Sequence, residues 1–246
     1  MSSRRVNRGD ARSSLIEPSL GVPRLHLREI ASTSDRAREL ALAGAPHGAL
    51  VTAAAQTAGR GRQGRVWTTQ PGAALTMSVV LRDPPPLLPL VAAVAVAESC
   101  GEEARIKWPN DVLGGGRKVA GILAEGRPHE GWAVLGIGVN VAVDVEALPE
   151  ELREKAGSLG RTRAEVEPFL SFLLGALERA FALSAEDLLN AWRARDALLG
   201  SQISWAGGTG IARGIDGEGR LVVELPGGGR TALNAGEVHL GRLPAT

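Results

Sequence analysis

Two successive strand-like segments carry glycines where strands normally carry side chains, and this feature limits the fold most. One segment covers residues 119–125 with Gly121 at its centre, and the next covers 132–141 with Gly136 and Gly138. The short loop between them predicts an antiparallel hairpin. A glycine inside a strand indicates the close approach of a ligand or of packed atoms. We therefore expect a glycine-floored sheet that leaves room for a flat ligand.

The rest of the chain predicts an α+β fold followed by a small β-unit. From residue 201 onward, short alternating strands separated by glycine-rich turns predict a β-barrel of about 45 residues. These changes divide the chain into a disordered tail (1–22), a catalytic domain (23–199) and the barrel (200–246). The other predicted strands cover 25–30, 49–56, 74–81 and 104–108, and the predicted helices cover 32–43, 87–100, 163–183 and 185–199.

Composition excludes several classes of protein. The single cysteine, Cys100, rules out an internal disulfide and fits a reducing cytoplasm. A formal net charge of +1 argues against a dedicated nucleic-acid binder. No apolar run reaches the ~18 residues of a membrane span, and 87–100, the closest, contains Pro89 and Glu98. The polar start of the chain lacks the apolar core of a secretory signal, and a disordered tail is preferred to an organelle transit peptide.

Lysine is rare in this arginine-rich chain. Of the 28 basic residues, only Lys107, Lys118 and Lys155 are lysines. Where generic positive charge suffices, the chain uses arginine, so a retained lysine is a candidate for a site that needs a compact ammonium. Lys107 and Lys118 both fall within the motifs described below.

Residues 59–65, Gly-Arg-Gly-Arg-Gln-Gly-Arg, form what we call the arginine–glycine loop. Glycine allows close approach of the backbone to a ligand, and arginine offers planar forks for carboxylate and phosphate oxygens. The pattern also matches a dinucleotide fingerprint, but that requires a helix directly afterwards, and Pro71-Gly72 opposes one. An RNA-binding arginine–glycine segment would be longer. A plain solvated loop remains the simplest alternative.

Two lysine-containing segments point to phosphate chemistry. In residues 106–112, Lys107 can bind phosphate and Asp111 or Asn110 can hold magnesium, although Pro-Asn-Asp alone is also typical of a turn. In residues 117–125, Lys118 enters an apolar strand, which is costly unless the ammonium meets an anion. The alternative for Lys118 is that its side chain extends along the strand to the surface.

These segments, in this order, resemble the biotin protein ligases. The resemblance covers roughly 24–243 and includes the Ser-Thr pair at 32–33, the arginine–glycine loop, the two lysine segments and the glycine strand at 135–140. It implies a mixed β-sheet catalytic domain of the class II synthetase and biotin ligase type, followed by an SH3-like barrel. One departure is Ser34, where the family often has asparagine, so this position offers a hydroxyl in place of an amide.

The resemblance also implies roles for individual residues. Lys118 and Arg62 would be catalytic, and Asp111 would hold the metal. The expected biotin site consists of Ser32, Thr33, Ser34, Gln56, Arg60, Gly61, Arg62 and Lys118. The expected nucleotide site consists of Lys107, Trp67, Asn110 and Asn140.

The activity implied is formation of biotinyl-adenylate from biotin and ATP with Mg²⁺, followed by transfer to a lysine of a biotin carboxyl carrier domain. The alternative is a lipoate or octanoate ligase of the same superfamily. A ligand-sensing DNA-binding regulator is opposed by the charge balance and by the few residues before the first strand, which favour a ligase-only form. A non-catalytic β-barrel adaptor leaves the two motif lysines unexplained. We expect a cytoplasmic monomer or homodimer with no DNA or membrane partner.

Overall fold

The computed structural model describes residues 20–127, 130–234 and 238–240. The predicted tail over 1–22 therefore lies mostly outside the described residues. The strands are β1 (Arg24–Ile30), β2 (Leu50–Gln56), β3 (Leu75–Arg82), β4 (Arg105–Lys107), β5 (Asp111–Gly114), β6 (Arg117–Arg127), β7 (Trp132–Val139), β8 (Gln202–Trp205), β9 (Gly208–Ile215), β10 (Leu221–Glu224), β11 (Arg230–Leu233) and β12 (His239–Leu240). The helices are α1 (Thr33–Leu42), α2 (Leu88–Cys100), α3 (Glu150–Arg153), α4 (Val166–Phe181) and α5 (Ala185–Arg193).

A seven-stranded mixed sheet forms the main domain, in the order β1-β2-β3-β7-β6-β5-β4. Only the β1–β2 pair is parallel within this sheet as described. The α+β prediction and the β6–β7 hairpin are confirmed. Strand β5 was not predicted, because Asn110 and Asp111 favour a turn. The turn falls between Lys107 and Asp111, which pair with each other, and Asp111 begins the next strand.

The two faces of the sheet are covered by different helices. Leu135 and Ile137 of β7 face the large core that contains α2, α4 and α5. Val134, one position out of phase with them, packs with Ala37 and Ala41 of α1. Because side chains alternate along a strand, the β7 positions 136 and 138 face the α1 side as well.

Helix α2 is apolar on all sides because it lies inside the large core, and ten of its thirteen residues are buried. Among the described residues, no helix has both the length and the apolar character needed to cross a membrane.

Two helix ends and one short helix differ from the predictions. Helix α5 ends at Arg193 rather than near 199, because the chain then pairs in extended form with the edge of the sheet. Ile106 donates a backbone hydrogen bond to Arg195 O, and Ala197 donates one to Ile106 O. The predicted helix at 163 begins as a single 3-10 turn before α4. Helix α3, only four residues long, was missed because so short a segment carries no helical periodicity.

The C-terminal β-unit is an antiparallel sheet in the order β11-β10-β9-β8-β12. Among the described residues, its two outer strands β11 and β12 do not pair with each other. The indole Nε1 of Trp108 donates to Gly219 O at 3.1 Å, which joins the β-unit to the lysine segment at 106–112.

Candidate active site

Three buried hydroxyls and one half-buried amide form a cluster where α1 begins above the sheet. We call Thr33, Ser34, Gln56 and Ser78 the polar cluster. Thr33 N donates to Gln56 Oε1 at 2.7 Å, and Thr33 Oγ1 lies 2.9 Å from Ser78 Oγ. Ser34 Oγ lies 3.1 Å from the same Ser78 oxygen. The adjacent Ser32 caps α1 by accepting from Asp35 N at 3.3 Å. The cluster gathers donors and acceptors in a buried place.

Sequence reasoning missed Ser78. Its signal was a hydroxyl in the middle of the apolar strand β3, where Ser78 is 0% exposed. Opposite it, a Cβ on Gly136 would lie 2.7 Å from Ser34 Oγ and 3.5 Å from Ser78 Oγ. Gly136 is therefore glycine because any side chain would displace the cluster.

The glycine floor beyond this cluster is covered by Trp67 rather than left open. Gly121 and Gly138 lie opposite each other in the β6–β7 register. A Cβ on Gly138 would lie 2.5 Å from Trp67 Cε2, and one on Gly121 would lie 3.1 Å from Trp67 Cζ3. The flat group that the glycines admit in this structure is thus the chain's own indole. Its Nε1 is buried without a hydrogen-bond partner.

Lys118 meets an anion on the same floor. Its Nζ lies 2.5 Å from Asp111 Oδ1 and 5.6 Å from the ring centre of Trp67. A Cβ on Gly121 would lie 3.4 Å from Nζ, so the Lys118 side chain extends along its own strand β6 to a point above Gly121. Lys118 therefore meets a carboxylate of its own chain, and its contact with the anion of a ligand stays a prediction. Lys155, the lysine outside the motifs, is exposed.

The arginine–glycine loop reaches the lysine segment through Arg62. Arg62 Nη1 donates to Asn110 Oδ1 at 3.1 Å, and Asn110 Nδ2 donates to Ile122 O at 2.8 Å. Asn110 is therefore held with its amide oxygen toward the arginine. Within the loop, Gln63 and Gly64 have φ of 56° and 73°, a left-handed turn that glycine adopts without strain.

Arg60 points elsewhere. Its guanidinium donates to Asp35 Oδ1 at 2.6 Å and to Glu125 Oε1 at 2.9 Å. The hydrogen bond that Arg60 donates to Asp35 is the largest cause that raises the pKa of Arg60 above its usual value. A contact from Arg60 to biotin therefore requires its backbone or a rearranged side chain. Gly61, next to it, donates its backbone N–H to Arg65 O at 2.7 Å.

Three of the five predicted nucleotide and metal residues share a small pocket, whereas Trp67 and Asn140 do not line it. The pocket is lined by Arg65, Lys107, Trp108, Pro109, Asn110, Asp111 and Val238. Asn140 Nδ2 donates to Gly157 O at 2.8 Å, so this side chain fixes a neighbouring loop. A larger cleft of about 430 Å³ lies between α2 and α4, beside Glu98, Arg161 and Phe172, and none of the predicted residues lines it.

The donor set fits magnesium only together with phosphate. Within residues 20–127, 130–234 and 238–240, no group of three or more His, Cys, Asp or Glu side chains could hold a metal alone. Asp111 offers one carboxylate and Asn110 one amide oxygen. Mg²⁺ is commonly bound by one or two carboxylates plus substrate phosphates, and Asp111 matches that arrangement.

Comparison with known families agrees with this geometry. A sequence model of the Biotin/lipoate A/B protein ligase family matches residues 27–144. A model of the Biotin protein ligase C terminal domain matches residues 206–241. The first match contains the polar cluster, the arginine–glycine loop and both motif lysines. The second contains most of the C-terminal sheet.

Individual relatives agree as well. The chain is 39% identical to the biotin–[acetyl-CoA-carboxylase] ligase of Paracoccus denitrificans over 236 residues, which is 85% of this chain and 97% of that protein. It is 39% identical over 173 residues to the bifunctional ligase/repressor BirA of Bacillus spizizenii, covering 65% of this chain and 53% of that protein. The chain thus spans about half the length of that repressor-type relative. The structure of the Aquifex aeolicus biotin protein ligase in complex with biotin and ATP superposes with a TM-score of 0.77 at 27% identity, covering 89% of this chain and 99% of that chain.

Proposed function

The chain belongs to the biotin protein ligase family, and from that premise we propose that it activates biotin with ATP and transfers it to a carrier lysine. The Paracoccus relative, 39% identical over 85% of this chain, carries the family assignment. The resemblance read from the motifs is confirmed by this relative and by the two family models.

The observation that carries the proposal is the order of groups along one face of the β6–β7 hairpin. Gly136 lies under the polar cluster, and Gly138, two residues on, lies under Trp67 beside Lys118. Positions two apart on a strand lie about 7 Å from each other. A ligand along this face would have hydroxyls and an amide at one end and an ammonium at the other. Biotin has that polarity, with a ureido ring at one end and a carboxylate at the other.

The same order disfavours the lipoate alternative. The ureido ring can donate and accept hydrogen bonds with Thr33, Gln56 and Ser78, which are already grouped there. The dithiolane ring of lipoate or the alkyl end of octanoate offers no such groups. It would cover the polar cluster without replacing any hydrogen bond to water, which is unfavourable.

The chemistry proceeds in two steps. The biotin carboxylate attacks the α-phosphorus of ATP and pyrophosphate leaves, which gives a mixed anhydride. The carrier lysine's amine then attacks the carbonyl carbon of the anhydride and AMP leaves. Lys118 would hold the carboxylate against the phosphorus. Arg62, at the tip of the arginine–glycine loop, would cover the adenylate once it has formed. Magnesium bound through Asp111 would supply charge neutralisation on the phosphates.

The proposal predicts that the protein exchanges labelled pyrophosphate into ATP only when both biotin and magnesium are present. Omitting biotin should reduce exchange to background, because reversal requires the adenylate. The control replaces biotin by lipoate or octanoate at the same concentration. Exchange that responds to lipoate and not to biotin would assign the chain to the rival ligase.

Ser78→Ala should raise the KM for biotin about fivefold, since one hydrogen bond contributes about 1 kcal/mol. Ser78 is the point at which Thr33 and Ser34 meet, so its loss should loosen the polar cluster. The matched control is Ser99→Ala, another buried serine, whose hydroxyl bonds Ala95 O inside α2 on the other face of the sheet. If Ser78→Ala and Ser99→Ala have the same KM for biotin, Ser78 does not belong to the proposed biotin pocket.

The proposed acceptor is a biotin carboxyl carrier domain of a carboxylase, in keeping with the name of the Paracoccus relative, a biotin–[acetyl-CoA-carboxylase] ligase. We propose the cytoplasm as the compartment, because ATP is available there.

A further inference from the structure

Four charged side chains form a closed ring at the base of the arginine–glycine loop. Arg60 contacts Asp35 at 2.6 Å and Glu125 at 2.9 Å. Arg38 contacts the same two acids, Glu125 at 2.8 Å and Asp35 at 3.4 Å. Positive and negative groups alternate around the ring, and its formal charge sums to zero. We call these four residues the ion-pair ring.

The ring ties three separate parts of the chain together. Asp35 and Arg38 belong to α1, Glu125 belongs to β6, and Arg60 belongs to the loop. The four side chains are 26–47% exposed, so any single pair would contribute little in water. A closed network is different, because each charge is oriented by two partners and the loss of one member loosens the others.

Fixing Arg60 also fixes the stem of the loop. The backbone of Arg60 pairs with Val66 across the loop, and Trp67 N donates to Gly59 O at 2.9 Å. The loop is therefore a small hairpin whose first strand carries Arg60 and whose second leads into Trp67. Arg62, at its tip, contacts Asn110. An anchored stem holds both Arg62 and Trp67 over the glycine floor.

We propose that Asp35, Arg38 and Glu125 are positioning residues that act through Arg60 to keep the arginine–glycine loop in place over the site. Three glycines in seven residues make this loop costly to order, and the ring offsets part of that cost. The anchor itself does not depend on the chemistry. Its consequence, retention of the adenylate, rests on the proposed function.

The first test uses no substrate. Trypsin cuts after Arg60, Arg62 and Arg65 when the loop opens, and all three remain in Glu125→Gln and Asp35→Asn. Each variant should be cut in the loop about two- to fivefold faster than wild type, as expected for loss of a charge network. The matched control is Glu224→Gln, which breaks a surface pair with Arg213 at 3.0 Å far from the loop in sequence. Its loop cleavage should equal wild type.

Ionic strength provides a second arm that needs no variant. Salt screens partly exposed pairs, so raising it should speed loop cleavage in wild type and have a smaller effect in Glu125→Gln. Unchanged cleavage in both ring variants, or wild-type cleavage that does not respond to salt, would overturn the proposal.

The final arm separates this inference from the proposed function. With biotin and ATP, Glu125→Gln should release labelled adenylate faster than wild type and Glu224→Gln should not. If wild type shows no biotin-dependent exchange, the proposed function fails, and the trypsin result still decides whether the ring anchors the loop. If cleavage rises as expected but release is unchanged, the positioning role in the reaction is wrong.

Discussion

Replacing Lys118 by arginine is expected to slow biotin-dependent adenylation by about 100-fold or more, the usual cost of losing one transition-state donor, while the protein stays folded. The ammonium is confined by three neighbours: the carboxylate of Asp111 at 2.5 Å, the indole of Trp67 and the floor at Gly121. A guanidinium is larger and planar, and it pairs with a carboxylate through two parallel hydrogen bonds. We expect the guanidinium in the Lys118→Arg variant to bind Asp111 through two hydrogen bonds. It would then be displaced from the position in which the Lys118 ammonium faces the reacting phosphorus.

The matched control for this substitution is Lys155→Arg. Lys155 is exposed, so Lys155→Arg makes the same chemical change at the surface. Both variants are assayed by pyrophosphate exchange, with circular dichroism to verify folding. Near-normal exchange in Lys118→Arg would mean that positive charge alone is needed at this position, and Lys118 would lose the catalytic role proposed for it.

Arg62→Gly is expected to form the adenylate at a rate close to that of wild type. The variant should release the adenylate far faster than wild type does. Arg62 joins the tip of the loop to Asn110, which is itself bonded to Ile122 O. Removing it breaks that link and adds a fourth glycine to the loop, so closure is weakened more than the polar cluster beneath. Free biotinyl-adenylate is a mixed anhydride and acylates exposed lysines without selection.

Biotin incorporated into serum albumin measures that release. Gln63→Gly is the matched control: it adds the same residue to the same loop at a position with φ of 56°, which glycine accepts, and leaves the Asn110 contact intact. Albumin labelling should rise strongly with Arg62→Gly and little with Gln63→Gly. A variant at position 62 that forms adenylate normally yet labels albumin no more than wild type would show that Arg62 does not hold the loop closed.

Local patterns in the sequence were sufficient for six of the seven strands of the main sheet, for the β6–β7 hairpin and for singling out the motif lysines, but not for β5. Strand alternation and turn residues act over a few positions, so β6 and β7 could be assigned with their glycines facing one side. The scarcity of lysine singled out Lys118, and in the structure its ammonium contacts the carboxylate of Asp111. The domain boundaries at 22/23 and 199/200 and the individual roles of the site residues stay predictions.

Contacts between distant parts of the chain were decided only by the tertiary structure. Trp67 covers the floor that the sequence predicted for a ligand, Ser78 joins Thr33 from 45 residues away, and Arg60 turns to Glu125, 65 residues away. Such contacts depend on strand register and on the path of a loop, and neither leaves a periodic signal in the sequence. The sequence by itself determined which groups are available for the chemistry. The fold determined which of them face each other, because burial of one face of each element sets the register that brings them together.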